Sequence, residues 1–125
     1  MDIPEDIQYT EEHEWILVED DIAIVGITDY AQGELGDVVF VELPQAGDLV
    51  QQLEPFGTIE AVKTVADLFA PLSGEVVEVN TLLEDSPHLI NEDPYGEGWI
   101  IKIKMSDQVE LENLLTAEDY SNLVQ

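Results

Sequence analysis

The sequence predicts a mainly β protein, a sandwich or flattened barrel, with a short helix near residues 28–35 and C-terminal helices. Short segments rich in Val, Ile and Phe recur along the chain, and turn-forming Pro, Gly and Asp residues separate them. One segment, residues 99–105, alternates apolar and charged side chains, as a strand with one buried face does. The chain has 125 residues and 45% of them are hydrophobic, which is enough for one core and predicts a single domain over residues 1–125.

A hairpin and a helix are predicted near the N-terminus. Residues 15–18 and 22–27 are apolar runs on either side of three acidic residues, a pattern typical of two strands joined by a tight turn. Residues 28–35 indicate a short helix, because Thr28 can cap its start and Gly36 can end it.

Four strands are predicted in the centre of the chain. Residues 38–43 are rich in β-branched side chains and end at a Pro-Gln-Ala-Gly turn. Residues 56–62 and 64–69 are strand-like arms on either side of Lys63, and residues 75–79 carry three valines that favour a further strand.

The predicted strand at residues 99–105 places its lysines in solvent. We expect Ile101, Ile103 and Met105 to face the core, and Lys102 and Lys104 to lie on a solvated face near carboxylates. Before this strand, residues 91–98 are rich in Pro and Gly and predict a structured turn.

Two short helices are predicted at the C-terminal end. Ser106 is expected to cap the first and Thr116 the second, which runs to about Val124. The apolar stripe of the first would be Val109, Leu111, Leu114 and Leu115. The side chains of the second that would pack on the sheets are Tyr120, Leu123 and Val124.

The charge of the chain excludes several classes of partner. There are 29 Asp and Glu residues against three Lys, for a net charge of −26. Nucleic acid and anionic membranes are not expected as partners, because both are bound through Lys and Arg. The acidity favours solubility, and it either serves solubility alone or also steers the protein to basic patches on other proteins.

Composition also argues against an enzyme. The absence of cysteine excludes disulfides, thiol catalysis and Cys-ligated zinc. His13 and His88 are the two histidines, neither has a partner at metal-ligand spacing, and His13 is expected to pack or hydrogen-bond beside Trp15. No nucleophile–base pair or phosphate loop is visible, so we expect neither catalytic residues nor a metal site.

The N-terminal residues and the hydropathy bear on location. Three of the first six residues are acidic and none is basic, which fits neither a secretory signal nor an Arg-rich transit peptide. No apolar run reaches the roughly 18 residues that span a bilayer. We expect a bacterial cytoplasmic protein, and a mature mitochondrial matrix protein stays open.

Lys63 carries the functional hypothesis. The other two lysines share one predicted strand, so Lys63 is the lone cation of its region. The tip Val62-Lys63-Thr64 lacks the Asn-Gly or Asp-Gly that tight hairpins prefer. An ordinary surface lysine is the simpler interpretation, but the pattern favours a hairpin that displays one amine for attachment of a cofactor, as in swinging-arm carriers.

Six segments carry a resemblance to a known family. They are HEW at 13–15, GITDYAQ at 26–32, LGDVVFVELP at 35–44, IEAVK at 59–63, APLSGEVVEVN at 70–80 and NEDPYGEGWIIKI at 91–103. In these segments the sequence resembles the H-protein family of the glycine cleavage system, from roughly residue 9 to the end. The family tip usually reads Glu-Ser-Val-Lys, and Ala61 stands in the Ser place.

The resemblance implies a lipoyl-type barrel-sandwich of two antiparallel sheets with added helices, a single lipoyl-carrier domain over residues 1–125, and lipoate in amide linkage on Lys63. It implies a carrier rather than an enzyme. The arm would take the aminomethyl group of glycine from a pyridoxal-phosphate glycine decarboxylase (P protein) to a tetrahydrofolate-dependent aminomethyltransferase (T protein). Dihydrolipoamide dehydrogenase (L protein) would then reoxidise the arm, and lipoyl-attaching enzymes would load it. We expect a monomer.

An aminomethyl adduct is labile in water, so we expect a cleft beside the hairpin with a carboxylate that pairs with its ammonium. Glu14 and Asp67 are the best candidates for this shelter, ahead of Glu12 and Glu34. The simpler interpretation is that all four are ordinary surface acids.

Other carriers stay open. Biotinyl domains usually carry Ala-Met-Lys-Met at the tip, where this chain has Ala-Val-Lys-Thr, and lipoyl domains of 2-oxoacid dehydrogenases commonly carry Asp-Lys-Ala. An unmodified interaction module and an H-like protein that relays lipoate to other acceptors are further alternatives, and the sequence hardly separates such a relay from a true carrier.

Overall fold

The chain forms two antiparallel sheets in a computed structural model that describes residues 2–125. The strands are β1 (Gln8–Tyr9), β2 (Glu14–Glu19), β3 (Ile22–Ile27), β4 (Val38–Glu42), β5 (Leu49–Val50), β6 (Pro55–Ala61), β7 (Val65–Phe69), β8 (Gly74–Val79) and β9 (Ile101–Met105). The larger sheet has the order β1-β2-β3-β9-β8-β5 and the smaller has the order β4-β6-β7. The predicted mainly β fold of two antiparallel sheets is confirmed.

Short helices lie at the ends and edges of the sheets. They are α1 (Asp29–Leu35), α2 (Leu82–Asp85), α3 (Leu89–Glu92), a 3-10 helix (Gln108–Asn113) and α4 (Ala117–Val124). The predicted caps of the first are confirmed: the Thr28 hydroxyl accepts a hydrogen bond from the Ala31 N–H at 3.1 Å, and Gly36 ends the helix with φ of +81°. That left-handed φ costs glycine little, which is why α1 stops there.

The main core lies between the two sheets. Val25 and Ile101 of the larger sheet meet Ile59 and Leu68 of the smaller one in a single buried cluster. Burial of each such side chain contributes about 1.5–3 kcal/mol, so this layer fixes the smaller sheet, which carries Lys63, on the larger one.

The last strand has the predicted two faces. Ile101 and Ile103 are fully buried, while Lys102 lies with its Nζ 3.3 Å from Glu78 and 5.0 Å from the centre of the Trp99 ring. The expectation of a lysine face near carboxylates is confirmed.

The C-terminal helix packs against the start of the chain. The rings of Tyr9 and Tyr120 stack with centroids 4.7 Å apart, and both are completely buried. Tyr9 also exchanges two backbone hydrogen bonds with Leu115, at 2.9 and 2.7 Å. These contacts place α4 close to the residues around His13.

The first C-terminal helix differs from its prediction. Asp107, not Ser106, caps it by accepting from the Val109 N–H at 3.0 Å, because Ser106 still belongs to the strand end and donates its N–H to the Ser73 carbonyl. The helix is of the 3-10 type, in which residues three apart align. Leu111 and Leu114 therefore pack on the core together.

Four smaller expectations were wrong in the same region. Val109 lies off the Leu111–Leu114 row and is 66% exposed, and Leu123 of α4 is 48% exposed. The last strand begins at Ile101 rather than at residue 99, because Trp99 donates its N–H to the Gly96 carbonyl and so belongs to the preceding turn. The predicted turn over 91–98 begins inside α3.

Candidate functional site

Lys63 is exposed at the tip of the β6–β7 hairpin. The last cross-strand pair is Glu60 with Val65, and the Ala61 N–H donates to the Thr64 carbonyl at 2.8 Å. Among residues 2–125, the non-glycine residues with positive φ are His13, Asp20 and Leu53. The tip therefore turns without a left-handed residue, which agrees with its lack of Asn-Gly or Asp-Gly.

The loop between α1 and β4 supports the tip. The Val62 N–H donates to the Asp37 carbonyl at 3.0 Å. The aliphatic stem of Lys63 passes over Gly36, where an added Cβ would lie 3.3 Å from Lys63 Cε. The lysine therefore starts from a fixed backbone and runs across the C-terminal end of α1.

Exposed apolar side chains lie on the outer face of the smaller sheet and beside Lys63. Phe40, Glu60 and Val65 form one row across the outer face of the smaller sheet. Phe40 is 56% exposed and Val62, beside the lysine, is 75% exposed. Exposed apolar surface of this kind is typical of protein contacts, so the surface around the amine suits the binding of an enzyme.

A cleft of about 430 Å³ lies beside the hairpin. Its lining residues are Glu12, His13, Glu14, Ile27, Tyr30, Ala31, Glu34, Leu35, Ile59, Ala66, Asp67, Leu68 and Phe69. All four acids considered from the sequence are among them, brought together from β2, α1, β7 and the residues just before β2. The volume is within the range of small-molecule sites.

The cleft begins where the lysine stem lies. Glu34 and Leu35, which line it, directly precede Gly36 beneath the stem, and Asp67 belongs to the strand that leaves the tip. The Lys63 stem therefore lies close to the end of the cleft that Glu34 and Leu35 line.

Glu14 is the buried acid of the cleft. It is 2% exposed and accepts hydrogen bonds from the Thr10 hydroxyl at 2.8 Å and the Phe69 N–H at 3.2 Å. Burial raises the pKa of Glu14 to about 8, and the two hydrogen bonds oppose the rise. A cation in the cleft would favour the ionised carboxylate, whereas an empty cleft favours the neutral acid. Asp67, in contrast, is exposed.

His13 forms part of the cleft wall. Its Nδ1 lies 2.9 Å from the Tyr120 hydroxyl, which also lies 2.7 Å from the Thr28 hydroxyl. Its ring centroid is 4.9 Å from that of Tyr30. Burial lowers the pKa of His13, although two nearby glutamates oppose the shift. The predicted hydrogen-bonding role is confirmed, with Tyr120 as the partner.

Sequence reasoning missed several residues that build the cleft. Tyr30 and Phe69 line it, and Thr10 and Tyr120 hold its polar side chains. Tyr30 lies in the GITDYAQ segment, which was a usable signal. Thr10 lies only four residues before Glu14, whereas Phe69 and Tyr120 meet the cleft through pairings distant in sequence, for which one sequence holds no signal.

A second depression lies away from the lysine hairpin. A more open depression of about 680 Å³ is lined by Leu49, Glu75 and Lys104 among others, but by no residue of the hairpin tip. Within residues 2–125, no group of three or more His, Asp or Glu side chains could hold a metal ion. Over the same range, no helix combines the length and apolar character that a membrane crossing demands.

Comparisons with known proteins decide the family. Residues 7–125 match the family model described as "Glycine cleavage H-protein". The chain belongs to that family. It is 62% identical over 118 residues to a glycine cleavage system H protein of Symbiobacterium thermophilum, covering 94% of this chain and 92% of the relative. It is 56% identical over 124 residues to that of Bacteroides fragilis, covering 99% and 98%.

A solved structure agrees with this assignment. The crystal structure of a glycine cleavage system H protein from Mycobacterium marinum matches with a TM-score of 0.87 at 44% identity, covering 96% of this chain and 97% of that one. H proteins are non-catalytic carriers of the glycine cleavage system that hold lipoate covalently on a lysine. The chain is thus a lipoyl carrier of that system, and the predicted family, fold and carrier role are confirmed.

Proposed function

We propose that Lys63 is the lipoyl attachment site and that residues 1–125 act as one lipoyl-carrier domain. The observation that carries the proposal is the exposed amine, whose stem crosses Gly36 onto the rim of the acidic cleft. Lys102 lies beside Glu78 and a tryptophan ring, and Lys104 shares its strand, so neither stands at a hairpin tip. We place the protein in the bacterial cytoplasm as a monomer.

The residues around Lys63 fit a lipoyl group. Ile27, Leu35 and Phe69 supply apolar walls for a hydrocarbon chain, and the cleft volume of about 430 Å³ accepts a group of that size. When bound, the group supplies the dithiol–disulfide chemistry that a chain without cysteine lacks. The hairpin tethers it and so raises its concentration at each docked active site.

Glu14 and Asp67 act as the shelter for the cationic cargo. Glu14 can pair with an ammonium in a site from which water is excluded, where such a pair is stronger than in water. Asp67 stands at the exposed side of the same cleft and adds negative charge. Glu12 and Glu34 have the same sign and complete an acidic rim.

The partners follow from the family. The carrier would receive the aminomethyl group from the P protein, deliver it to the T protein and be reoxidised by the L protein. Lipoyl-attaching enzymes would load Lys63. The net charge of −26 favours basic docking surfaces on these enzymes.

Acylation of Lys63 is tested by mass. After incubation of the apo protein with a lipoate ligase, lipoate and ATP, intact mass should show one lipoyl group, and peptide mapping should place it on Lys63. Lys63→Arg should abolish the addition, whereas Lys104→Arg should leave it unchanged. A biotin adduct, an unmodified Lys63 or modification elsewhere would refute the assignment.

The shelter is tested by lifetime. The aminomethyl-loaded protein should lose its cargo more slowly than the variants Glu14→Gln and Asp67→Asn, each compared with Glu42→Gln on the outer sheet face. Equal lifetimes in all four proteins would refute the shelter. Reconstituted glycine–bicarbonate exchange separates a carrier from a lipoate relay, because a relay would not support exchange.

A further inference from the structure

Asn91 connects three groups of the loop that supports the lysine hairpin. Its Nδ2 donates to the Gly36 carbonyl at 2.8 Å and to the Gln32 side-chain oxygen at 3.1 Å. Its Oδ1 accepts from the Val38 N–H at 2.9 Å. The Asn91 side chain thus forms hydrogen bonds with the backbone on both sides of Asp37.

Asp37 passes this constraint to the tip. Its carbonyl accepts the Val62 N–H at 3.0 Å, and the neighbouring Gly36 lies beneath the Lys63 stem. Both supports of the tip therefore belong to the loop that Asn91 holds.

The Asn91 amide is itself well fixed. Asn91 belongs to α3, in which the neighbouring Ile90 is completely buried. The backbone N–H of Asn91 donates to the His88 carbonyl at 3.0 Å. One accepted and two donated hydrogen bonds occupy its Oδ1 and both Nδ2–H groups. A side chain so constrained favours one arrangement of the loop.

We propose that Asn91 is a positioning residue for the acylation of Lys63, acting through Gly36, Asp37 and Val38 on the hairpin tip. The inference rests on the proposed attachment at Lys63. Without the Asn91 amide, the Gly36 carbonyl and the Val38 N–H lose their partners, and the loop gains alternative arrangements. A ligase that needs one arrangement then meets it in a smaller fraction of the molecules, which raises the apparent KM and leaves kcat unchanged.

Asn80 offers a matched control. It is buried, its Nδ2 donates to the carbonyls of Glu97 and Trp99 at 2.7 Å each, and its Oδ1 accepts from the Leu82 N–H at 3.2 Å. Its bonds match those of Asn91 in number and type, but they do not touch the lysine hairpin or its supporting loop. If Asn91 only stabilised the fold, alanine at position 91 and alanine at position 80 should have the same effect on acylation.

The experiment measures acylation of the apo protein by a lipoate ligase with lipoate and ATP, over a range of apo-protein concentrations. Asn91→Ala should raise KM about tenfold with kcat changed by less than about twofold, whereas Asn80→Ala should change neither by more than about twofold. Chemical denaturation shows that both variants are folded under assay conditions. Asn91→Asp keeps the acceptor for Val38 but loses both donors, and it should also raise KM.

Amide hydrogen exchange supplies a readout independent of acylation. In Asn91→Ala the Val62 N–H should exchange about tenfold faster than in the wild type, and in Asn80→Ala it should not. In the wild type, Val62 and Val38 should exchange at similar rates, because one loop protects both. This last comparison needs no variant, and clearly different protection of the two N–H groups in the wild type would overturn the shared support.

The outcomes separate the two proposals. A wild-type protein that is not acylated at Lys63 refutes the proposed attachment site. A wild type that is acylated, together with an Asn91→Ala variant of unchanged KM and unchanged Val62 exchange, refutes the positioning role alone. Equal rises in KM for the Asn91 and Asn80 variants would likewise overturn it.

Discussion

The Glu14 carboxyl accepts a hydrogen bond from the Phe69 N–H at 3.2 Å, so a buried ionisable group joins β2 to the strand that descends from Lys63. This contact forms the floor of the cleft. The protonation of Glu14 therefore affects the stability of the fold as well as the charge of the cleft.

Glu14→Gln should change the pH dependence of stability. The pKa of Glu14 is about 8 in the folded protein against 4.5 for an ordinary glutamate. Between these values the folded state binds more protons than the unfolded state, so stability from this group is full below 4.5 and falls as pH rises towards 8, by at most about 1.4 kcal/mol per unit. Glutamine removes this fall and can still accept one hydrogen bond.

Urea denaturation of the wild type and of Glu14→Gln at about pH 5 and about pH 8 measures this pH dependence. The contribution of Glu14 to the free energy of unfolding should be larger at the lower pH. The free energy of unfolding of Glu14→Gln should rise relative to that of the wild type as pH increases. The exposed Glu42→Gln variant is the control and should show a constant difference. A constant difference for Glu14→Gln as well would contradict the raised pKa.

Alanine substitutions at Gly33, within α1, and at Gly36, its C-cap, should change the stability of the fold in opposite directions. Gly33 lies within the helix with nothing near the position of a new Cβ, so Gly33→Ala should stabilise the fold by about 0.5–1 kcal/mol. Gly36 has φ of +81°, so Gly36→Ala should destabilise it by about 1 kcal/mol or more and crowd the Lys63 stem. Urea denaturation at one pH measures both changes, and equal signs would contradict the cap geometry.

Thr116 and Ser106 should differ as caps. The Thr116 hydroxyl accepts from the Asp119 N–H at 3.1 Å, so Thr116→Ala should cost about 1 kcal/mol. The Ser106 hydroxyl caps no helix, and Ser106→Ala should stay within about 0.5 kcal/mol of the wild type. Thermal or urea unfolding distinguishes them, and a larger loss for Ser106→Ala would restore the cap that the sequence suggested.

Tyr120→Phe should separate hydrogen bonding from stacking. The variant keeps the ring against Tyr9 but leaves His13 Nδ1 and the Thr28 hydroxyl without their shared partner. A loss of about 1–3 kcal/mol is expected. Tyr30→Phe is the matched control, because the Tyr30 ring contacts His13 and its hydroxyl makes no side-chain hydrogen bond within the described residues. Equal losses of stability in Tyr120→Phe and Tyr30→Phe would show that the hydrogen bonds of the Tyr120 hydroxyl do not stabilise the fold.

The sequence predicted the long elements because their patterns were long enough to see. Residues 22–27 and the last strand carried clear β-sheet signals, and Thr28 and Gly36 marked both ends of α1. The two-residue strands β1 and β5 are too short to show a period. They exist because distant partners pair with them.

Short helices were the other limit. α2 and α3 have four residues each, and buried Leu83 and Ile90 hold them in place rather than any helical repeat. A helix of one turn is marginal without such packing. Ser106 was a reasonable cap by residue type, but its backbone was already committed to the strand end.

The site was partly visible in the sequence. Lys63 stands out as an isolated cation, Asp67 follows it by four residues and Glu14 lies in the His-Glu-Trp segment; the fold places both acids in one cleft. The burial of Glu14 could not be foreseen, because it depends on Thr10 and Phe69 closing over the carboxyl. The roles of Asn91 and Tyr120 depend on contacts with residues more than fifty positions away.

The dependence of His13 and Thr28 on Tyr120 has a consequence for biosynthesis. A growing chain emerges from the ribosome N-terminus first. The hydrogen-bonding partners of the lysine tip and its supporting loop, up to Asn91, leave the exit tunnel before residue 120 does. During synthesis, the lysine tip and its hydrogen-bonding partners therefore leave the ribosome before the cleft wall gains the Tyr120 hydroxyl.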